Sequence, residues 1–175
     1  VWVYNANNLG VSLGGAPTTI LNFFADSPRS LAVTPDGLTV YAAGFFSGNQ
    51  TTSLLNTLVG GSRPAPLVNT EGIAAPLEGL IVKYNGTNFV DENDVVRNVF
   101  FTLPDRDVFE IDATTNPPTI AGNHTSVGTT LFNMAVHPTD GRLFVSNTEA
   151  RNHVRFEGPG ILSTTVRGHA VENRI

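Results

Sequence analysis

Apolar residues along this chain fall in short runs separated by Gly, Pro, Asn and Asp. No window of about twelve residues carries apolar positions at i, i+3, i+4 and i+7 without a Gly, Pro or Asn breaking it, so the pattern predicts little helix. Runs rich in Val, Leu, Phe, Tyr and Thr, bounded by turn residues, predict strands instead. Twelve are expected: Trp2–Asn5, Thr19–Phe24, Ser30–Thr34, Thr39–Gly44, Thr51–Leu55, Leu80–Tyr84, Val96–Leu103, Asp107–Asp112, Thr130–His137, Arg142–Ser146, His153–Phe156 and Ser163–Arg167. Another begins at Val171–Ile175. This spacing fits an all-β sandwich, barrel or propeller.

Internal repetition favours the propeller. Ser30-Leu31-Ala32-Val33-Thr34-Pro35-Asp36-Gly37 has a second copy in Asn133-Met134-Ala135-Val136-His137-Pro138-Thr139-Asp140-Gly141. Each copy reads apolar strand, Pro, Asp-Gly, apolar strand. Pro ends a strand because it has no N–H for the ladder, and Asp-Gly supplies the positive φ of a tight hairpin. Gly37 and Gly141 lie 104 residues apart. A four-stranded blade takes roughly 40–50 residues, so the interval is expected to hold two blades and an insertion. Val3-Tyr4-Asn5-Ala6 likewise matches Glu110-Ile111-Asp112-Ala113. Val96–Leu103 and Asp107–Asp112 are expected to pair as a hairpin around Pro104-Asp105-Arg106. The stretch 56–79, with Gly60-Gly61 and three prolines, is expected to be an inserted loop. The adjacent pairs Phe23-Phe24, Phe45-Phe46 and Phe100-Phe101 are expected to fill the space between blades. Residues 1–175 then form one β-propeller segment of three to four four-stranded antiparallel blades, part of a larger propeller.

Composition narrows the function classes. The 175 residues are 41% hydrophobic and 14% charged, enough for a core and unlike a disordered chain. The net charge of −5 and the lack of a basic stripe argue against nucleic acid as a partner. With no Cys there is no disulfide, thiolate metal site or CxxCH haem attachment in this stretch. No apolar run approaches the ~18 residues of a membrane-spanning helix. The basic residues are nine Arg and Lys83, and Thr, Asn and Gly abound, a balance that suggests an exported bacterial protein at the periplasm or cell surface.

The segment Pro28–Tyr41 resembles the repeat of YVTN-type bacterial β-propellers. The stretches Gly79–Gly86, Leu103–Ala113 and Val145–Gly158 are similar to large exported propellers associated with c-type cytochrome domains. The resemblance implies a propeller fold and a scaffold role. Any haem would belong to residues or chains outside this one, since the chain has no CxxCH.

Candidate chemistry is sparse. None of the four His makes HExxH or HxH. The densest polar cluster supplies a candidate binding site at Asn147, Glu149, Arg151, Asn152, His153 and Arg155, expected in the turn between two strands of one blade. Asp91, Glu92 and Asp94 form an acidic loop of the kind that offers oxygen ligands to Ca²⁺, without the spacing of an EF-hand. Asp105, Asp107 and Asp112 are carboxylates close in sequence, and no G-x-S-x-G elbow accompanies them. The expected function is a non-catalytic propeller scaffold or binding segment, with no cofactor of its own beyond a candidate Ca²⁺. Its expected partners are the rest of the propeller or other protein subunits. Two alternatives stand beside it: a lactonase-like propeller hydrolase with an axial metal, and a structural subunit capped by partner chains.

Overall fold

A computed structural model describes residues 1–59, 71–74, 79–153 and 170–175. The chain is all-β, built from antiparallel sheets, none closed into a barrel. It divides into two compact units. Among the described residues, no helix is long and apolar enough to cross a membrane.

The first unit comprises Val1–Gly48, Asp105–Glu149 and Asn173–Ile175. It opens with the short pair β1 (Trp2–Val3) and β2 (Thr19–Ile20). Strands β3 (Asp26–Val33) and β4 (Thr39–Phe46) then form the first Pro…Asp-Gly hairpin. Within the turn, Gly37 has φ +73° and Asp36 Oδ1 accepts from the Thr34 hydroxyl at 2.6 Å and from Leu38 N at 3.0 Å. The chain leaves for the second unit and returns as β9 (Val108–Asp112), which takes the free edge of β4 from Thr39↔Asp112 to Ala43↔Val108. Strand β10 (Thr119–His124) pairs with β9. The order β3-β4-β9-β10 is thus a four-stranded antiparallel ladder.

Both faces of its middle are covered. Ala42, Ile111 and Leu21 pack on one face with Val1, Val3 and Phe23, whose ring stacks on Phe109 at 4.4 Å. Ala43 and Val108 pack on the other with Leu131, Met134 and Val145. Those last three come from β11 (Thr130–Val136) and β12 (Leu143–Ala150), the second copy of the hairpin. The likeness of the copies reaches the ladder's irregularities. A register shift falls between Pro28 and Ser30 in the first and between Leu131 and Asn133 in the second. The equivalent residues Ser30 and Asn133 are themselves hydrogen-bonded, at 3.1 Å. In the second turn Gly141 has φ +72°, and His137 stands where the first has Thr34, its Nδ1 lying 2.9 Å from Asp140. A single bridge, Thr130↔Phe46, joins β11 to β4, and β13 (Val171–Arg174) lies beside β12.

The second unit comprises Asn49–Pro104 and Ala150–Glu172. Its sheet is an antiparallel meander of β5 (Thr51–Leu55), β6 (Gly79–Tyr84), β7 (Phe89–Val90) and β8 (Val96–Arg97). A four-residue helical turn, α1 (Asn56–Val59), follows β5. Leu54, Val59, Leu80 and Val82 make its core, with Phe89 and Val99 against it.

Several expectations change. Val96–Leu103 does not pair with Asp107–Asp112: β8 stops at Arg97, and both edges of β9 are taken by β4 and β10. The interval from Gly37 to Gly141 holds β4, β9, β10 and β11 of the first unit together with β5–β8 of the second. Of the aromatic pairs, Phe23 packs inward while Phe24 and Phe46 are more than half exposed. Phe100 and Phe101 lie outside any strand and are both exposed. From the loop expected over 56–79, residues 60–70 and 75–78 lie outside the described residues, as does the strand expected at Ser163–Arg167 and all but His153 of His153–Phe156.

Candidate functional site

The first unit gathers buried polar groups at one place, the turn that leads into β11. Asp107 is fully buried just before β9. Its backbone is pinned on both sides: Asp107 N donates to His124 O at 2.9 Å, and Gly44 N donates to Asp107 O at 2.9 Å. The carboxyl group is therefore held under the end of β4, where it accepts from the Ser47 hydroxyl. From the turn it accepts from Val127 N and, at 3.4 Å, from Gly128 N. Asp105 takes the neighbouring amide, with Ser126 N 2.9 Å from Oδ2. Ser126 has φ +59°, a left-handed conformation that turns three successive N–H groups toward the two acids.

Burial pushes the Asp107 carboxyl up, to about 6. The hydrogen bonds from Ser47 and Val127 pull the other way, and the charge and hydrogen bond of Asp105 add to the rise. A buried carboxyl facing a second carboxyl is an arrangement that holds a proton near neutral pH.

Strand β12 closes the other side of the turn. Asn147 and Glu149 alternate inward along it and are buried. The Asn147 amide lies directly on Gly128, where an added Cβ would come within 2.3 Å of Asn147 Oδ1. That oxygen is sealed from solvent without a hydrogen-bond partner, while Nδ2 donates to Val145 O at 3.0 Å. The Thr129 hydroxyl reaches Glu149 at 3.5 Å. An open groove of about 680 Å³ runs alongside, lined among others by Tyr41, His124, Thr125, Val127 and Asn147.

The remaining candidates from the sequence disperse. Asn147 and Glu149 are strand residues, because β12 runs on to Ala150 where a turn is expected from the sequence. Arg151 pairs with Glu172 at 2.9 Å in the second unit. The Asn152 side chain donates to the Thr51 hydroxyl at 2.9 Å and accepts from Asn49 at 2.7 Å, tying down the local turns. His153 shares a second groove, of about 390 Å³, with Lys83, Asp91, Glu92 and Asp94. Arg155 lies outside the described residues.

The acidic loop is organised around Asp91. Oδ1 accepts from Asn93 N and Val95 N, at 2.9 and 3.1 Å. Oδ2 accepts from Arg97 Nε at 2.9 Å and Nη2 at 2.6 Å, and Arg97 Nη1 donates to Val59 O. Burial pushes Asp91 up, but the Arg97 hydrogen bonds and the two loop amides outweigh it and hold the carboxyl below its ordinary value. Asp91 is thus the knot of the loop. Among the described residues, no three His, Asp or Glu side chains converge as a metal cage would require.

Sequence reasoning singled out the carboxylates at 105 and 107 but missed Ser47 and the 126–128 amides. Ser47 is 60 residues from Asp107, and backbone donors leave no mark on residue type. No family model, curated protein or solved structure matches this chain.

Proposed function

We propose that the chain is a non-catalytic scaffold or binding segment of a β-propeller, completed by further blades of the same polypeptide or by partner subunits. The observation behind this reading is the duplicated hairpin. Its two copies share strand order, bulge position and turn chemistry, and their equivalent residues Ser30 and Asn133 touch. In a propeller, equivalent strands of neighbouring blades face one another in this way, and each blade is a four-stranded antiparallel sheet. The ladder β3-β4-β9-β10 would then be one blade, with 49–104 inserted between its second and third strands. Its two covered faces agree with this reading.

Large apolar side chains left exposed, such as Val11, Leu13, Phe100 and Phe101, support partners on the outside. An exported setting and association with a cytochrome portion rest on the Lys-poor composition and on the YVTN-type resemblance. Electron cryomicroscopy of the native polypeptide, or of its complex, tests the reading. The expected result is a ring of four-stranded blades with this chain as an arc. A sandwich, or metal-dependent hydrolysis of lactones by the purified protein, overturns it.

A further inference from the structure

One face of the β1–β2 pair packs inward through Val1, Val3 and Leu21. The other carries Trp2, which is paired across the ladder with Ile20, and both are about half exposed. Between the two strands, residues 5–17 close on themselves as a finger. Asn8 N donates to Asn5 O at 2.9 Å, Ala16 N to Leu9 O at 2.8 Å and Gly15 N to Ser12 O at 2.8 Å. The Tyr4 hydroxyl donates to Gly14 O at 2.7 Å. The neck is too tight for side chains: a Cβ on Gly10 would lie 2.6 Å from Ala16 N, and one on Gly15 would lie 2.4 Å from Leu9 O. What this ordered loop holds out is apolar. Val11 and Leu13 are 108% and 107% exposed, so each stands fully clear of the body, and Leu9 is more than half exposed. No Asp, Glu, Lys, Arg or His precedes Asp26, in a chain that is 14% charged.

We propose that the finger is a lipid-surface anchor, which inserts Val11 and Leu13 into the headgroup–acyl boundary of a zwitterionic bilayer with Trp2 at the interface. A partner protein is read through a polar rim as well as an apolar centre. The finger offers no charged group for such a rim, and its tip residues alternate with Gly10, Ser12 and Gly14. A loop can enter lipid only where its backbone is bonded internally, and the cross-bonds of the neck meet that condition below the tip. Trp and Tyr gather at the membrane–water interface because one end of the ring is apolar and the other polar. Trp2 and Tyr4 stand side by side at the base of the finger, with ring centroids 6.4 Å apart.

Charge decides the kind of lipid. The net charge of −5 and the absence of a cation from the finger give anionic headgroups nothing to attract, so the contact is made with neutral ones and is insensitive to salt. Its strength is that of a few aliphatic side chains, enough for reversible contact and short of permanent anchoring. The proposal goes beyond the propeller reading, which needs Val11 and Leu13 only to lie on the outside. A propeller that ignores lipid and a sandwich that binds it are both observable, so either idea can fail alone.

Trp2 is the chain's single Trp, so its fluorescence reads the contact directly. Titrating the full chain with phosphatidylcholine vesicles should shift the emission to the blue and make it quenchable by bromine-labelled lipid. Salt at about 0.5 M should leave the titration unchanged. Val11→Asp and Leu13→Asp alter fully exposed side chains, so thermal unfolding should be unaffected, while vesicle affinity should fall roughly tenfold or more in each. The absence of a shift with vesicles, single variants that bind like wild type, a shift that survives the double variant, or binding confined to anionic vesicles and abolished by salt each overturns the proposal. So does a blue shift without lipid that grows with protein concentration and is lost in the double variant, since that seats the finger on a second copy of the chain.

Discussion

The buried carboxyl groups of Asp91 and Asp107 answer pH in opposite senses, because Arg97 and loop amides outweigh burial at the first, whereas burial prevails at the second and Asp105 adds to it. Asp91 is held below its ordinary value by Arg97 and by loop amides, despite its burial. Its contribution is therefore present at neutral pH and fades as the solution is acidified below about pH 4. Asp107 is raised by burial and by Asp105, so the stability it contributes is greatest in acid and declines as pH climbs toward 6. Asp91→Ala should be the more damaging change at neutral pH. It strands a buried guanidinium whose remaining partners include Val59 O, at a cost of about 3–5 kcal/mol. Urea unfolding at pH 7, with and without the substitution, measures it. At this scale the sequence was informative about which residues carry charge and silent about what they face. Asp91 was legible as an acid in a loop, but its partner Arg97 acts through burial, which residue spacing alone does not report.

At the level of elements, the duplicated hairpin was the most legible feature because its constraints are local. Pro, Asp and Gly each fix a dihedral or a hydrogen bond within a few residues. A Cβ on Gly37 or Gly141 would meet nothing within 4 Å, so the penalty for Ala there is purely conformational. Gly37→Ala and Gly141→Ala should each cost about 1–2 kcal/mol, and the double mutant should show near-additive loss in thermal unfolding because the turns share no partners. Strand β10 went unpredicted for the opposite reason. Thr119–His124 buries no complete face and is held by its ladder to β9, so its sequence carries no alternation. The hairpin expected around Pro104 failed because adjacency in sequence stood in for pairing. The actual neighbours of β9 are β10, which follows it, and β4, from before the excursion.

Among the described residues of the whole molecule the core falls into three sets: around Leu131 and Val108 and around Ala42 and Ile111 in the first unit, and around Val82 and Leu54 in the second. Leu131 and Val82 are both fully buried. Leu131→Ala should cost about 2–5 kcal/mol and Val82→Ala somewhat less, since fewer carbons are removed. Hydrogen-exchange mass spectrometry should place the loss of protection for Leu131→Ala in β4, β9 and β11, and for Val82→Ala in β5 and β6. Division into two units was not legible from composition, because both draw on the same Val- and Leu-rich strands. It emerges only from which strands pair.

The excursion between β4 and β9 also shapes how the chain reaches its native state. Pairing Ala43 with Val108 closes a loop of 65 residues (108 − 43), whereas the Gly37 and Gly141 hairpins close loops of a few. The entropy of so long a closure must be met before any β4–β9 contact rewards it. The two hairpins, and the local β9–β10 pair, can form early, and the pairing of β9 with β4 comes late. Val108→Ala should therefore accelerate unfolding while leaving the refolding rate nearly untouched, and substitutions at the hairpin turns should slow refolding. Stopped-flow chevrons on the two kinds of variant would display the order directly. Nascent chains emerging from the ribosome would hold β4 with a bare edge until the residues of β9 had been made, an interval in which that edge is open to other strands.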